Sequence, residues 1–229
     1  QTILNPEVAA AHYTLLLVDM SGSVAESDQA SAVVEAAGVF SQKVGENNKV
    51  AIKKINNLFK DLIDAKRIVR EIRVLRKLRH PNIIRLLDAI PPDEGAANLN
   101  DVYMIFELMD TDLHRVISSP QKLGQSHYKF IIYQILCALK YMHSAGIIHR
   151  DIKPANILIT KQNVVKIADW GMARQLLRQA DAYTQVVVSR HYRPPEISLR
   201  TCVHTAAIDM WSIGCVGYEL VTKKVLINS

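Results

Sequence analysis

"HRDIKPANILI", residues 149–159, is the stretch on which the reading of this chain turns. Residues 149–156 set a carboxylate, Asp151, beside an ammonium, Lys153, and an amide, Asn156. These are a proton acceptor, a cation for an anionic group and a neutral oxygen ligand for a hard metal ion. An isolated D-x-x-x-x-N is equally a polar loop, so the neighbours decide. Downstream, "DWG" at 169–171 adds a second metal-type carboxylate, Asp169, and Gly171, which lets the backbone turn sharply. Upstream, "VAIK" at 50–53 places Lys53 on a strand. Glu71 lies between Ile68 and Ile72 on the apolar face of a helix expected over 62–78. A carboxylate on a buried stripe needs a cationic partner, and Lys53 is the natural candidate.

Positioned phosphates, a divalent metal and an oriented hydroxyl are what phosphoryl transfer requires, because its developing charge is spread over oxygens. The order and spacing of these motifs together are specific to that chemistry. From Val50 to about Val225 the sequence resembles the eukaryotic protein kinases, and within them the mitogen-activated and cyclin-dependent group. The closer signs are "FELMDTDLHRVI" (106–117), "HRDIKPANILI", "RHYRPPE" (190–196) and "TAAIDMWSIGC" (205–215). The resemblance implies a serine/threonine kinase using ATP and Mg2+ on a protein substrate. Asp151 would accept the hydroxyl proton, Lys153 would neutralise the transferred phosphoryl, and Asn156 and Asp169 would hold metal. Ser189 would bridge Asp151 and Lys153. Lys53 and Glu71 would pair at the ATP site, Phe106 would be the gatekeeper, Glu107 and Met109 would present backbone groups to adenine, and Leu158 would lie beneath the base. Asp209 would hold the catalytic loop from the last helix, and Glu196 and Gly171 would be structural. Thr184 would be an activation-loop phosphosite facing Arg150, since a phosphate opposite arginine orders a loop. An upstream activating kinase or a cyclin-like partner follows from the same resemblance.

The chain also departs from that family. Trp170 replaces the usual Phe beside Asp169, and Pro194 replaces an Ala. The Thr-x-Tyr pair of mitogen-activated kinases reads Thr184, Gln185, Val186, nearer to the cyclin-dependent type. No G-x-G-x-x-G precedes "VAIK"; "LLLVDMSGSVAESDQ", residues 15–29, precedes it instead. An apolar run over 13–20 predicts a buried strand. A helix capped by Ser27 or Asp28 and closed by Gly45 follows, and "KVAIKKI" (49–55) is the next strand, so the two strands should run parallel. A strand ending in D-x-S-x-S ahead of a helix resembles the first βαβ unit of a von Willebrand factor A domain, over about residues 12–52. There Asp19, Ser21 and Ser23 would be weak oxygen ligands for a magnesium-like ion. A capped turn is the plainer alternative.

The expected layout is an A-domain-like start over 1–48, a kinase small lobe over 49–108 and a C-terminally truncated large lobe over 109–229. The fold class is α+β, two-lobed and kinase-like, with the βαβ unit in place of the first small-lobe strands. Truncation should leave the last helix uncovered around Trp211, Val216 and Leu220. The 229 residues, 49% hydrophobic and 22% charged, suffice for such a core. No apolar run reaches the roughly 20 residues of a membrane helix, so no membrane partner is expected. The net charge of +6 is concentrated between Lys49 and Arg79, where apolar residues recur at helical spacing, so a solvated helix face is preferred to nucleic-acid binding. Scattered Cys137, Cys202 and Cys215 argue against a disulfide framework and for a reducing, cytoplasmic or nuclear, compartment. Three functions remain open: an active kinase of impaired activity, a non-catalytic kinase-like scaffold or chimeric product, and a metal-dependent adhesion module.

Overall fold

The computed structural model describes residues 16–17, 50–55, 58, 60–90, 102–176, 190–199 and 204–228. Two compact units share the chain: Gln1–Ile68 with Arg85–Met109, and Val69–Ile84 with Asp110–Ser229. This division differs from a cut at residue 108 by giving Val69–Ile84 to the second unit. The reason is local: Ile84 N donates to Ile167 O and Ile167 N to Asn82 O, so this segment runs beside a strand of the second unit.

The first unit is built on a four-stranded sheet in the order β1 (Leu16–Leu17), β2 (Val50–Ile55), β4 (Val102–Glu107), β3 (Leu86–Ile90). β1 runs parallel to β2, and β4 is antiparallel to both β2 and β3. The parallel direction is the one a strand–helix–strand connection imposes. The helix expected between Ser27 and Gly45, and the D-x-S-x-S residues Asp19, Ser21 and Ser23, lie outside the described residues. Val50 and Ile52 alternate into the core with Tyr103, Met104 and Ile105. α1 (Leu62–Lys77), divided between the two units after Ile68, buries Ala65, Glu71 and Leu75 along one stripe.

In the second unit α3 (Gln125–Ser144) buries Ile131, Ile135, Ala138, Leu139 and Met142, a stripe at the 3.6-residue helical period. Gly146 beyond its end has φ 68°, the left-handed closure that favours glycine. A short helix, α2 (Leu113–Ser118), is capped by Asp112, whose Oδ1 accepts from Arg115 N at 2.9 Å. β5 (Thr111–Asp112), β7 (Ile157–Ile159) and β8 (Val165–Ile167) form one small sheet, and β6 (Ile147–Ile148) pairs with β9 (Arg174–Gln175). α4 (Pro195–Ser198) precedes α5 (Ala207–Thr222), which packs against α3. Val216 and Leu220, expected to be uncovered, are 0% and 1% exposed. They face inward with Ile208 and Ile213, and it is Trp211, with Met210, Tyr218 and Val221, that lies on the open side. The helical period puts 216 and 220 on the face opposite 211 and 218. Among the described residues no helix is long and apolar enough to cross a membrane, and Cys137 and Cys215 are free thiols.

Candidate active site

The loop between β6 and β7 is held from two helices before any of its side chains acts. Asp209, fully buried on α5, accepts from His149 N (2.9 Å) and Arg150 N (2.8 Å). Its Oδ2 also meets His143 Nε2 of α3 at 2.8 Å. These bonds fix Arg150 in the left-handed region at φ 70°, a conformation that is uncommon for a long side chain. His149 Nδ1 accepts from Asp151 N at 3.2 Å, which leaves Nε2 to carry the hydrogen toward Ala168 O at 3.1 Å. The imidazole therefore ties the loop to the residue before Asp169.

Asp151 is 6% exposed. Its Oδ2 accepts from Lys153 Nζ at 3.0 Å and from Asn156 Nδ2 at 2.9 Å. Its Oδ1 is buried and has no hydrogen-bond partner among the described residues. Leaving an acceptor so costs stability, and an oxygen left open is what a general base needs. Burial pushes the Asp151 carboxyl above the usual carboxylate range; Lys153 and His149 pull it back, and the charge of Asp169 adds to the rise.

Asn156 Nδ2 is spent on Asp151 O and Oδ2, both at 2.9 Å, so its amide oxygen is the end left for a cation. Ala168 N donates to Asn156 O at 2.9 Å, joining the turn Pro154–Asn156 to the strand end that presents Asp169. Asp169 stands at φ 61°. The sharp turn was expected of Gly171, but among the described residues the left-handed φ falls on Asp169, a residue type that tolerates it. Gly171 instead offers its carbonyl to Arg70 Nη1 at 2.5 Å. One carboxylate and one amide oxygen fit Mg2+, which keeps several waters and takes further ligands from phosphates. No group of three or more His, Cys, Asp or Glu suited to a metal occurs among the described residues. Trp170 is fully buried, packs edge-on to His149 at 4.8 Å and donates from Nε1 to Ile167 O at 3.2 Å.

The other expected site residues are placed unit by unit. In the first, Lys53 stands opposite Met104, Phe106 opposite Ala51, and Glu107 opposite Val50. Glu107 Oε1 accepts from Arg85 N at 2.8 Å, and Met109 is buried. In the second, Glu71 is 2% exposed on α1, Leu158 sits on β7 opposite Lys166, and Glu196 lies on α4. Thr184 and Ser189 lie outside the described residues. Sequence reasoning missed Arg70, His143 and His149. His149 had a signal, an imidazole two residues before the candidate carboxylate Asp151; the other two act across a fold that spacing does not reveal.

A family model described as "Protein kinase domain" matches residues 35–229. The chain belongs to the protein kinase family. The kinase match begins at residue 35, within the segment likened to an A domain. Among curated relatives, mitogen-activated protein kinase 4a of Physcomitrium patens is 48% identical over 188 residues, covering 82% of this chain and 49% of the relative. Mitogen-activated protein kinase 6 of Arabidopsis thaliana is 50% identical over 180 residues, 79% of this chain and 45% of its own length. Mitogen-activated protein kinase 1 of Oryza sativa subsp. japonica is 49% identical over 178 residues, 78% and 44%. This kinase chain thus spans about half the length of the curated relatives it matches.

Proposed function

We propose that this chain is a serine/threonine protein kinase of the mitogen-activated type, moving the terminal phosphate of ATP to a protein hydroxyl. The observation that carries the reading is Asp151: one oxygen is held by Lys153 and Asn156 while the other is buried with no hydrogen-bond partner among the described residues. Asp151 orients that hydroxyl and takes its proton; Lys153, whose Nζ is 3.0 Å from Asp151 Oδ2, would neutralise the phosphoryl. Mg2+, held by Asn156 and Asp169, supplies positive charge to the phosphates when bound. Lys53 and Glu71 would pair in the nucleotide-bound state, Phe106, Glu107, Met109 and Leu158 would line the adenine, and Ser189, outside the described residues, would bridge Asp151 and Lys153. Thr184, outside the described residues, would be the phosphosite, its phosphate opposite Arg150. The relatives named are all mitogen-activated kinases, which favours an upstream kinase over a cyclin-like partner. A cytoplasmic or nuclear place of action belongs to the same reading.

With no glycine-rich lid before Val50, phosphate positioning is weakened, and turnover falls on the order of a thousandfold below an intact relative. Purified chain should transfer phosphate slowly to a generic basic protein, with Asp151→Asn as blank. Transfer equal in the two proteins would leave a non-catalytic scaffold as the reading. A second reading, an A-domain-like start joined to a kinase body, is favoured by the parallel β1–β2 pair. Calorimetric titration of Mg2+ against Asp19→Ala and the parent chain tests its metal residues; a micromolar affinity lost in the variant supports an adhesion-type site.

A further inference from the structure

Two buried amides lie behind the strand that delivers Asp169, and every hydrogen atom and lone pair at their facing ends is used. Asn82 and Gln134 are each 8% exposed. Asn82 Nδ2 donates to Gln134 Oε1 (2.9 Å) and to Val165 O (2.8 Å). Gln134 Oε1 also accepts from Val165 N (2.9 Å), and its Nε2 donates to Asn163 O (2.8 Å). Both main-chain polar groups of Val165 are thus gripped by side chains, one from the loop after α1 and one from α3. The main chain continues the grip: Ile167 N donates to Asn82 O at 2.9 Å and Ile84 N to Ile167 O at 3.0 Å. A strand side chain changes face with a one-residue slip, so this clasp sets the register and depth at which β8 ends and Asp169 begins.

We propose that Asn82 and Gln134 are positioning residues for metal binding at Asp169, acting through β8. The proposal rests on the kinase reading in taking Asp169 as a metal ligand. A fully satisfied buried network resists displacement, and partners that orient a ligand typically govern metal affinity by about 10–100-fold.

The test reads metal directly. The chain has two tryptophans, and in a Trp211→Phe background the emission comes from Trp170, next to Asp169. Mn2+, a paramagnetic quencher, is titrated with excess ADP, and Asp169→Asn is the control that should lose the quenching. Asn82→Ala and Gln134→Leu should weaken the apparent Mn2+ affinity about tenfold. Gln134→Glu, which keeps the oxygen that Asn82 and Val165 share but sets a buried carboxylate oxygen against Asn163 O, should weaken it as well. Leu139→Ala, a buried deletion on the same α3, should lower the melting temperature and leave Mn2+ affinity unchanged. Equal affinity in the parent and the clasp variants, equal weakening in Leu139→Ala, or no quenching in the parent overturns the proposal. Phosphate transfer is measured in parallel. The expected affinity pattern without transfer above the Asp151→Asn blank would sink the kinase reading and leave the clasp standing.

Discussion

A carboxylate proposed to take a proton needs one oxygen unengaged, and Asp151 keeps its buried Oδ1 without a partner among the described residues. Burial raises its pKa, and Lys153 is the largest influence lowering it. Removing that ammonium should therefore move the acid limb of the kcat/KM profile to higher pH, since the base stays protonated further up the scale. Lys153→Met is expected to show this shift together with a lower plateau; an acid limb at unchanged pH would remove Lys153 from the control of Asp151. The same burial fixes the sign of a stability effect. A carboxyl with a raised folded-state pKa binds its proton more tightly in the native state, so its favourable contribution is present at low pH and is lost as pH rises through that pKa. Asp151→Asn keeps the shape and removes the buried charge. It should abolish transfer and, near neutral pH, leave the thermal midpoint equal to or above that of the parent. For Lys53, whose strand position is opposite Met104, Lys53→Met should abolish binding of an ATP analogue by calorimetry while the circular dichroism spectrum is kept. Unchanged affinity would exclude Lys53 from the nucleotide site.

At the scale of elements, periodicity served well where one face is buried along the whole length. The helix read over 62–78 is Leu62–Lys77, and the last helix, placed around Trp211, Val216 and Leu220, is Ala207–Thr222. It failed where one segment serves two partners. The apolar run 83–90 reads as one strand, but only Leu86–Ile90 joins β4, while Asn82 and Ile84 bond to Ile167 within the second unit. Both stretches are apolar, and hydropathy carries no label for the partner. Asp151, Asn156 and Asp169 were legible because their chemistry demands fixed spacing along one short loop and one strand end. The Asn82–Gln134 clasp was not, since its members are joined only by the fold, and an Asn and a Gln in isolation look like surface residues. Gly146 tests the helix end: its φ of 68° is strained for any side chain, and a Cβ there would meet nothing within 4 Å. Gly146→Ala should therefore destabilise by about 1 kcal/mol through backbone conformation alone, read by urea denaturation with an unchanged m-value. A much larger loss would mean that the end of α3 carries more than a turn.

At the scale of the whole molecule, the open side of α5 sets solution behaviour. Met210, Trp211, Tyr218 and Val221 are 41–56% exposed along one helix face, and an apolar face of this kind favours association. Light scattering of the purified chain should show self-association that rises with concentration, reduced in Trp211→Ser with Val221→Lys. Equal scattering by parent and variant would place the adhesive surface elsewhere.

The division of the chain bears on how it is made. Each compact unit is assembled from two separate lengths of sequence, and the central strand β4, which pairs with both β2 and β3, is the last of its sheet to be synthesised. A ribosome-bound chain that has reached residue 90 carries β2 and β3 with no strand between them and exposes their edges to any neighbour. The interval until residue 107 emerges is thus the vulnerable moment in the birth of this protein. Pausing of translation there, or fragments cut at residue 90, should yield aggregates that chaperones hold, whereas chains extended past Met109 should escape them.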